Sequence, residues 1–380
     1  MENLRFQDGK FRVMLVGDPH CYRADESPHD RAILKDYLAL QNAALDEAKP
    51  DLAVLMGDNA RGKSREEIRE VLLRMTQPYA QRGIPFTFVL GNHDLELEGL
   101  TRKELYGIYA DLPGICMPEE IGEFGDFELR VRDPASGRAA LQLLLVYSGA
   151  SPGPEAYSYY DWVLPEQNDW IRRTAAACTK ENGPTPAVLL QHIPVPEEYG
   201  LLRRRSALCM VGDGVCGQNE LKGSYYVKKK GVQGWLGEAP CVPAMNSGEF
   251  EAMKETQTVF AAFFGHDHMN DFVGMTDGII LGQCKTASFN VYGDGLRQGV
   301  RLLDFDLNAP FALDTRMLTY RELLGRRCES LHGSIAVLHD KLSVKLELLA
   351  KVGAVSTAVT APALLAKLLI KRNRGKRSHG

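Results

Sequence analysis

The sequence lacks several features that would assign it to a specialised class of protein. Its eight cysteines include no Cys-x-x-Cys pair and no closely spaced set, which argues against a structural zinc site or a disulfide framework. The first residues lack the basic stretch, the apolar run and the small-residue cleavage site of a secretory signal. These absences lead us to expect reduced thiols and a cytoplasmic protein.

The chain also lacks an excess of positive charge. Its formal net charge is -4, which argues against a general nucleic-acid-binding protein, and no specific nucleic-acid site is evident. What is present is the composition of a soluble globular protein, with 44% hydrophobic and 25% charged residues in 380 positions. A chain of this length can bury a sizeable core in one large domain or in two ordinary ones.

Hydrophobic periodicity predicts strands that alternate with helices through the first half of the chain. The predicted strands in this part are 12–16, 52–56, 86–90, 127–132, 141–147 and 187–190, and the predicted helices are 32–48, 64–81, 102–110 and 166–179. A Gly-rich stretch, 200–246, is expected to be a surface excursion. After it we predict a helix at 249–255 and strands at 259–264, 279–283, 300–306 and 311–318. The pattern favours a mixed α/β sandwich in one domain.

Polar residues follow five of these strands at the point where each strand ends. The clusters are Gly17-Asp18-Pro19-His20, Gly57-Asp58-Asn59, Gly91-Asn92-His93-Asp94, Gln191-His192 and Gly265-His266-Asp267-His268. A single Gly-Asp after a strand is usually a turn, and a single histidine is usually structural, but five clusters in order are difficult to explain in that way. Because the carboxyl ends of strands in an open α/β sheet line a common crevice, we expect these side chains to meet there.

The clusters supply a set of oxygen and nitrogen ligands without a thiolate, which suits Fe, Mn or Zn and differs from a structural cysteine site. The candidate ligands are Asp18, His20, Asp58, Asn92, His192, His266 and His268. Seven ligands are too many for one ion, but they suit two ions if one carboxylate bridges them. Two ions roughly 3.5–4 Å apart are a common device for displacement at phosphorus.

The order of the clusters resembles that of the calcineurin-like metallophosphoesterases. Their motifs Asp-x-His, Gly-Asp, Gly-Asn-His-Asp/Glu, His and Gly-His-x-His are all matched within residues 11–306. The stretches QHIPVPEEY, MNSGEF and FFGHDHMNDFVG are similar to the purple-acid-phosphatase-29-like branch of that family. The resemblance implies a four-layer α/β/β/α sandwich with mixed sheets over residues 11–320, in which 197–246 is an insertion or lid. It also implies a centre of two divalent or mixed-valence metal ions.

The resemblance further implies a role for each candidate residue. The first ion would be held by Asp18, His20, Asp58 and His268, and the second by Asn92, His192 and His266, with Asp58 as the bridge. His93 would be the general acid for the leaving alcohol, oriented by Asp94. A hydroxide made available by metal coordination would attack phosphorus in line, without a covalent enzyme intermediate. The implied substrate is a phosphoester, either a monoester or a diester.

The sequence departs from purple acid phosphatases in one respect. Those enzymes carry a tyrosine a few residues after the bridging aspartate, and its phenolate gives the purple Fe(III) colour. Here the corresponding stretch is Gly57-Asp58-Asn59-Ala60-Arg61, without a tyrosine, while His20 adds an imidazole in the first motif. We therefore expect a histidine-rich site for Fe or Mn that lacks the purple colour.

Two other classes of function compete with a phosphoesterase. A metal-binding regulatory or scaffold protein on the same fold would be expected to lack a ligand or His93, and none is missing. A hydrolase of non-phosphate esters that uses the same metals is the other alternative. The basic clusters Arg203–Arg205 and Lys228–Lys230 are candidates for phosphate contacts, but such runs are usually solvated surfaces.

The last sixty residues, 321–380, are predicted to form a helical extension with a basic tail. The segment Val352–Ala366 is uncharged but shorter than the roughly 18 residues of a membrane-spanning helix, and Pro362 interrupts it. The chain ends in KRNRGKRSHG, which has no acidic residue. We favour a helix packed on the sandwich with a frayed tail. The alternative is peripheral contact with an anionic membrane surface.

Overall fold

The computed structural model describes residues 4–22, 27–151, 158–325 and 328–330. Its strands are β1 (Lys10–Val16), β2 (Leu52–Met56), β3 (Phe86–Val89), β4 (Phe127–Arg132), β5 (Ala139–Leu145), β6 (Ala187–Gln191), β7 (Leu202–Arg205), β8 (Val215–Cys216), β9 (Tyr225–Lys228), β10 (Val259–Phe264), β11 (Val273–Thr276), β12 (Ile279–Gln283), β13 (Gly299–Asp306) and β14 (Leu313–Thr319). Its α-helices are α1 (Pro28–Ala48), α2 (Arg65–Arg82), α3 (Arg102–Ala110), α4 (Pro165–Asn182), α5 (Glu249–Thr256) and α6 (Tyr320–Leu324).

Two mixed sheets form the centre of the molecule. The first has the strand order β14-β13-β1-β2-β3, and the second has the order β11-β12-β10-β6-β5-β4. Strands β1, β2 and β3 of the first sheet run parallel, as do β12, β10, β6 and β5 of the second, whereas β13, β14, β4 and β11 pair antiparallel with their neighbours. Strands β2 and β10 are apolar and buried along their whole length, as expected for strands covered on both faces.

The core shows why the sheets stack in layers. Alternate residues of β6 belong to different apolar clusters: Val188 and Leu190 lie in the large cluster shared with the first sheet, and Leu189 lies in a smaller one. Helices α1, α2 and α3 pack into the large cluster, while α4 and α5 pack into the smaller one through residues such as Ile171 and Phe250. The predicted four-layer α/β/β/α sandwich is confirmed.

Local side-chain and backbone features explain where α2 begins and ends. The Ser64 side chain caps α2 by accepting a hydrogen bond from the Glu67 backbone N–H, at 3.2 Å. The Glu67 carboxylate does not return a hydrogen bond to the Ser64 backbone to form a capping box; it accepts the backbone N–H of Lys63, at 3.2 Å. The α2 helix ends at Gly83, which adopts φ 62°, a left-handed conformation that glycine tolerates best.

The structure adds detail where the sequence predicted only a surface excursion. Strands β7, β9 and β8 form a small three-stranded sheet within it, on which Arg203–Arg205 are exposed. Strand β11 was not predicted, and β14 covers Leu313–Thr319 rather than 311–318. The lid role of 197–246 and the domain boundary near residue 320 stay predictions. Of the predicted C-terminal extension, 321–380, only α6 and a few residues up to 330 are described; the segment Val352–Ala366 and the basic tail lie outside the described residues. None of the helices in the described part of the chain is long and apolar enough to cross a membrane.

Candidate metal centre

The polar clusters at the ends of β1, β2, β3, β6 and β10 meet at one edge of the sandwich. The structure brings together all seven candidate ligands, namely Asp18, His20, Asp58, Asn92, His192, His266 and His268. All of these side chains are buried. Each comes from the first residues after a strand, so the rigid sheets fix the positions of the ligands.

A first group of ligand atoms is formed by Asp18, His20 and His268. The Nε2 atoms of the two histidines face each other at 3.3 Å, and His268 Nε2 is 3.6 Å from Asp18 Oδ1. The ligand atoms of these three side chains all lie within 4.8 Å of one another. Two imidazoles and a carboxylate at this spacing can bind one cation between them.

A second group is formed by Asp18, Asp58 and His192, whose ligand atoms also lie within 4.8 Å of one another. His192 Nε2 is 3.4 Å from Asp58 Oδ2 and 3.9 Å from Asp18 Oδ1. The amide oxygen of Asn92 lies 3.0 Å from the same nitrogen. This group therefore offers two carboxylates, an imidazole and an amide oxygen to a second cation.

Two carboxylates lie between the groups and could be shared. Asp58 Oδ2 is 3.3 Å from His20 Nε2 in the first group and 3.4 Å from His192 Nε2 in the second. Asp18 is also a member of both groups, but its Oδ1 lies farther from their imidazoles, at 3.6 Å from His268 and 3.9 Å from His192. Asp58 thus lies nearer to the imidazoles of both groups than Asp18 does, and its role as the bridge stays a prediction.

His266 joins the centre through its ring and its backbone. Its ring lies edge-on to that of His192, with centroids 5.1 Å apart, and also contacts Tyr160 at 4.4 Å. Its backbone N–H donates to both carboxylate oxygens of Asp18, at 3.1 and 3.0 Å. These contacts hold one face of the ring against the second group and fix the Asp18 carboxylate.

Unusual backbone conformations direct the ligands inwards. Asp18, His20, Asp58 and His266 adopt left-handed φ angles of 44°, 43°, 52° and 73°, which non-glycine residues rarely do. Three of the four follow a glycine, namely Gly17, Gly57 or Gly265, which allows close packing. A Cβ atom at Gly57, which itself has φ 93°, would lie 2.4 Å from His192 Nδ1. The glycine thus lets the imidazole ring lie against the backbone of the β2 turn.

The hydrogen-bond pattern fits bound cations. His192 Nδ1 bonds to the Met56 carbonyl at 2.8 Å, and His268 Nδ1 bonds to the Tyr292 carbonyl at 3.0 Å, so each ring directs its Nε2 atom into the centre. Among the described residues, His20 Nδ1 and His266 Nε2 are buried without a hydrogen-bond partner. Imidazole nitrogen lone pairs and carboxylate oxygens converge in this centre with few hydrogen-bond donors between them. Such groups repel one another unless a cation lies among them. The residues therefore fit metal ions.

Burial and neighbouring charged groups shift the pKa values of the candidate ligands. Burial opposes ionisation of Asp58, but His192 and His20 outweigh it and hold the pKa of Asp58 well below its usual range. Burial also opposes protonation of His192, but Asp58 raises its pKa to about 10. In contrast, burial raises the pKa of Asp18 well above its usual value and lowers that of His268 to about 4.

His93 lies at the mouth of the centre and differs from the buried ligands. Its side chain is 36% exposed, and its Nε2 atom is 3.9 Å from Asp58 Oδ2. Its backbone N–H donates to Asp58 Oδ1 at 2.8 Å, and its ring centroid is 5.6 Å from that of His20. This position beside the ligands, on the side open to solvent, suits a residue that contacts a substrate.

The resemblance implies that Asp94 orients the His93 ring, but in the structure it is Glu96 that contacts the ring. The Glu96 carboxylate contacts His93 Nδ1. The Asp94 carboxylate turns inwards and accepts the backbone N–H groups of Asn59 and Gly91, each at 2.7 Å. Asp94 therefore ties together the loops after β2 and β3. Its burial raises its pKa to about 6, with Asp58 adding to the shift.

Sequence reasoning also missed the support behind His268. The Tyr292 ring stacks on the His268 ring, with centroids 4.3 Å apart. The Tyr292 hydroxyl donates to Glu238 at 2.9 Å, and the Gln218 amide donates to the same carboxylate at 3.3 Å. The 200–246 segment, which contains Gln218 and Glu238, therefore reaches the wall of the metal centre. The contact between Tyr292 and Glu238 joins segments that are distant in sequence, so no local pattern could have predicted it. The contact between Glu96 and His93 is local, and the spacing of three residues could have suggested it.

The comparisons with known proteins agree with this geometry. The sequence profile of the calcineurin-like phosphoesterases matches residues 11–270. The chain belongs to this family. The profile covers the five strand ends that carry the candidate ligands. Members of the family bind two divalent metal ions, and the two ligand groups described above are the candidates for them here.

Individual relatives support the purple-acid-phosphatase-like branch that the sequence predicts. The Arabidopsis thaliana protein named probable inactive purple acid phosphatase 14 is 29% identical over 339 residues, covering 80% of this chain and 77% of that protein. Probable inactive purple acid phosphatase 29 from the same plant is 26% identical over 334 residues, covering 80% and 79%. A solved structure of a dimetal phosphatase from Danio rerio is 12% identical, with a TM-score of 0.47, covering 82% of this chain and 99% of that one.

Proposed function

We propose that this chain is a dinuclear-metal-dependent phosphoester hydrolase with His93 as its general acid. The observation that carries the proposal is the convergence of ligand atoms on Asp58. One carboxylate oxygen lies 3.3 Å from an imidazole of one group and 3.4 Å from an imidazole of the other. A half-exposed histidine lies directly beside this oxygen. Two adjacent cation sites next to a proton donor are the parts that hydrolysis of a phosphoester requires.

Each cation would have its own set of protein ligands. Asp18, His20, Asp58 and His268 would hold one ion, and Asn92, His192, His266 and the shared Asp58 would hold the other. When bound, the two ions supply Lewis acidity that neutralises charge on the phosphoryl oxygens and activates water. The neutral imidazoles of His20 and His266, whose pKa values burial holds well below the usual range, are already in the form that binds a metal.

His93 handles the proton at the leaving group. Hydrolysis breaks the bond between phosphorus and the alcohol oxygen, while water forms the new bond to phosphorus. The leaving oxygen needs a proton, and His93 Nε2 delivers it from the exposed side of the centre. The Glu96 carboxylate on Nδ1 keeps the ring in the orientation that points Nε2 towards Asp58.

A second candidate is a metal-binding protein on the same fold with little catalysis. The names of the two plant relatives, both of which contain "probable inactive", favour this candidate. Against it, every ligand that the dinuclear centre needs is present in this chain, and His93 is in place beside them. We therefore favour the hydrolase.

The test is hydrolysis of p-nitrophenyl phosphate and bis-p-nitrophenyl phosphate by metal-stripped protein, with Mn, Fe and Zn added separately. We expect at least one metal to restore hydrolysis of one ester or of both. His93→Ala should lower turnover and keep the ions, whereas His29→Ala, which changes an exposed histidine on α1, should leave turnover unchanged. Two bound ions without hydrolysis of either ester would overturn the proposal and support the metal-binding alternative.

A further inference from the structure

A cavity opens directly beside His93, on the side away from the buried ligands. Its volume is about 520 Å³, which falls in the range of sites that bind small organic molecules. His93 and Asp94 line its inner end, and the loops after β2 and β3 form its walls. Because His93 donates its proton to the leaving alcohol, the group attached to that alcohol extends into this cavity.

Part of the cavity wall is apolar. Ala60 and Ile68 contribute buried side chains, and Leu97 and Tyr22 contribute half-buried ones. The Ile68 side chain lies in the first turns of α2, which fixes its position. Burial of apolar surface stabilises binding by roughly 25 cal/mol per Å², so a leaving group with an apolar face gains affinity here that a small hydroxylated one does not.

The charged side chains of the wall carry more negative than positive charge. The cations are Arg61 and Lys63, and the carboxyl groups are those of Glu67, Asp94, Glu96 and Glu98. Arg61 Nε is 3.6 Å from Glu96 Oε2, so Arg61 is already engaged by a carboxylate. An additional phosphate or carboxylate on the leaving group would therefore meet uncompensated negative charge.

We infer that this cavity is the binding site for the leaving alcohol, and that the alcohol is uncharged and has an apolar face. The inference rests on the proposed hydrolase function and makes it more specific. It directs the search for substrates towards phosphoesters of aromatic or extended apolar alcohols, and away from polyphosphorylated molecules and acidic phosphopeptides.

The test compares three monoesters with similar aromatic leaving groups: phenyl phosphate, 2-naphthyl phosphate and 4-carboxyphenyl phosphate. We expect kcat/KM to be highest for the naphthyl ester and lowest for the carboxyphenyl ester. Glu98→Lys should improve the carboxyphenyl ester relative to phenyl phosphate by about 3- to 10-fold at low salt, as expected for exposed charges. Glu120→Lys makes the same charge change at an exposed position outside the cavity and should leave the ratio unchanged.

A binding measurement separates this inference from the proposed function. 2-Naphthol, the product alcohol, should bind the metal-loaded protein with a change in its fluorescence, and Leu97→Asn should weaken that binding several-fold. If none of the esters is hydrolysed, the hydrolase proposal fails, but naphthol binding that depends on Leu97 still identifies the cavity as the alcohol site. Hydrolysis with equal kcat/KM for the three esters, or with a Glu98→Lys ratio no different from that of Glu120→Lys, would overturn the inference.

Discussion

Replacement of the two central carboxylates by amides separates their roles. Asp58 Oδ2 lies 3.3 Å from His20 Nε2 and 3.4 Å from His192 Nε2, and its side chain is 1% exposed. Asp18 is equally buried, and its carboxylate accepts the His266 backbone N–H. Asp58→Asn and Asp18→Asn make the same chemical change in the same centre. Each variant is therefore the matched control for the other.

In metal-free protein the two variants should differ in stability. His192 and His20 hold the pKa of Asp58 well below its usual range, and Asp58 raises the pKa of His192 to about 10, so the two form a buried ion pair at neutral pH. Removal of one partner from such a pair costs about 3–5 kcal/mol. Burial raises the pKa of Asp18 well above its usual value, so its charged form is disfavoured, unlike that of Asp58. Asp18→Asn should therefore destabilise the protein less than Asp58→Asn does.

The assay is urea unfolding in the presence of a chelator, followed by elemental analysis of each variant after dialysis against Mn²⁺. Asp58→Asn should unfold at a clearly lower urea concentration than Asp18→Asn and should retain less than one ion per chain, because both ions lose the shared oxygen. Equal unfolding midpoints in chelator would refute the ion-pair argument. Two ions retained by Asp58→Asn would refute the bridging assignment.

Four other substitutions or measurements test the remaining assignments. His93→Ala should keep both ions and lower kcat by about 10²- to 10⁴-fold on alkyl phosphates, with a smaller loss on p-nitrophenyl phosphate; an equal loss on both would argue against a general acid. Glu96→Ala should lower kcat about tenfold with little change in KM, and Glu96→Asp should recover part of it; recovery of none would favour a structural role. The iron-loaded protein should show no strong tyrosinate absorption band, because no tyrosine follows Asp58 within the 57–61 stretch. Burial raises the pKa of Glu198 from 4.5 to about 8, so the folded protein holds this proton more tightly than the unfolded chain and loses stability as the pH rises from about 4.5 to about 8. Glu198→Gln has no proton to lose, so its gain in thermal stability over the unmodified protein should grow across that pH range. A gain that does not change with pH would contradict this.

The parts of the fold that the sequence predicted correctly are those with strong local signals. The parallel strands are mainly apolar runs, most clearly in β2 and β10, and a glycine or a polar residue follows each run within a few positions. The same strand predictions also indicate where the candidate ligands lie, because a residue that directly follows a parallel strand lies at the sheet edge where the other parallel strands end. For example, Asp58 follows β2 by two positions, and its contact with His192, 134 residues later in the sequence, could be expected without a structure.

What the sequence could not provide depends on packing between distant segments. Strand β11 is half-exposed at a sheet edge, and its four residues, Val-Gly-Met-Thr, lack a clear alternation. The direction in which a side chain points within a turn cannot be predicted from the sequence either. Asp94 and Glu96 are both close to His93 in sequence, and only the backbone of the turn decides that Asp94 faces the neighbouring loop while Glu96 faces the ring. A carboxylate next to a histidine in sequence is therefore a weak guide to which carboxylate orients it.

The backbone of the centre indicates that the ligands are positioned before any cation binds. Left-handed conformations at four non-glycine ligands cost on the order of 1 kcal/mol each, so other contacts must hold them. Those contacts are present within the protein: the His20 backbone N–H donates to the Asp58 carbonyl at 2.7 Å, and the Thr286 hydroxyl donates to the Asp18 carbonyl at 2.8 Å. Each strained residue of the first group is thereby linked to a neighbouring loop. A centre held in this way would need little rearrangement to accept cations, and in the proposed hydrolase the binding energy of the ions would be available to polarise a phosphoester rather than to order the loops.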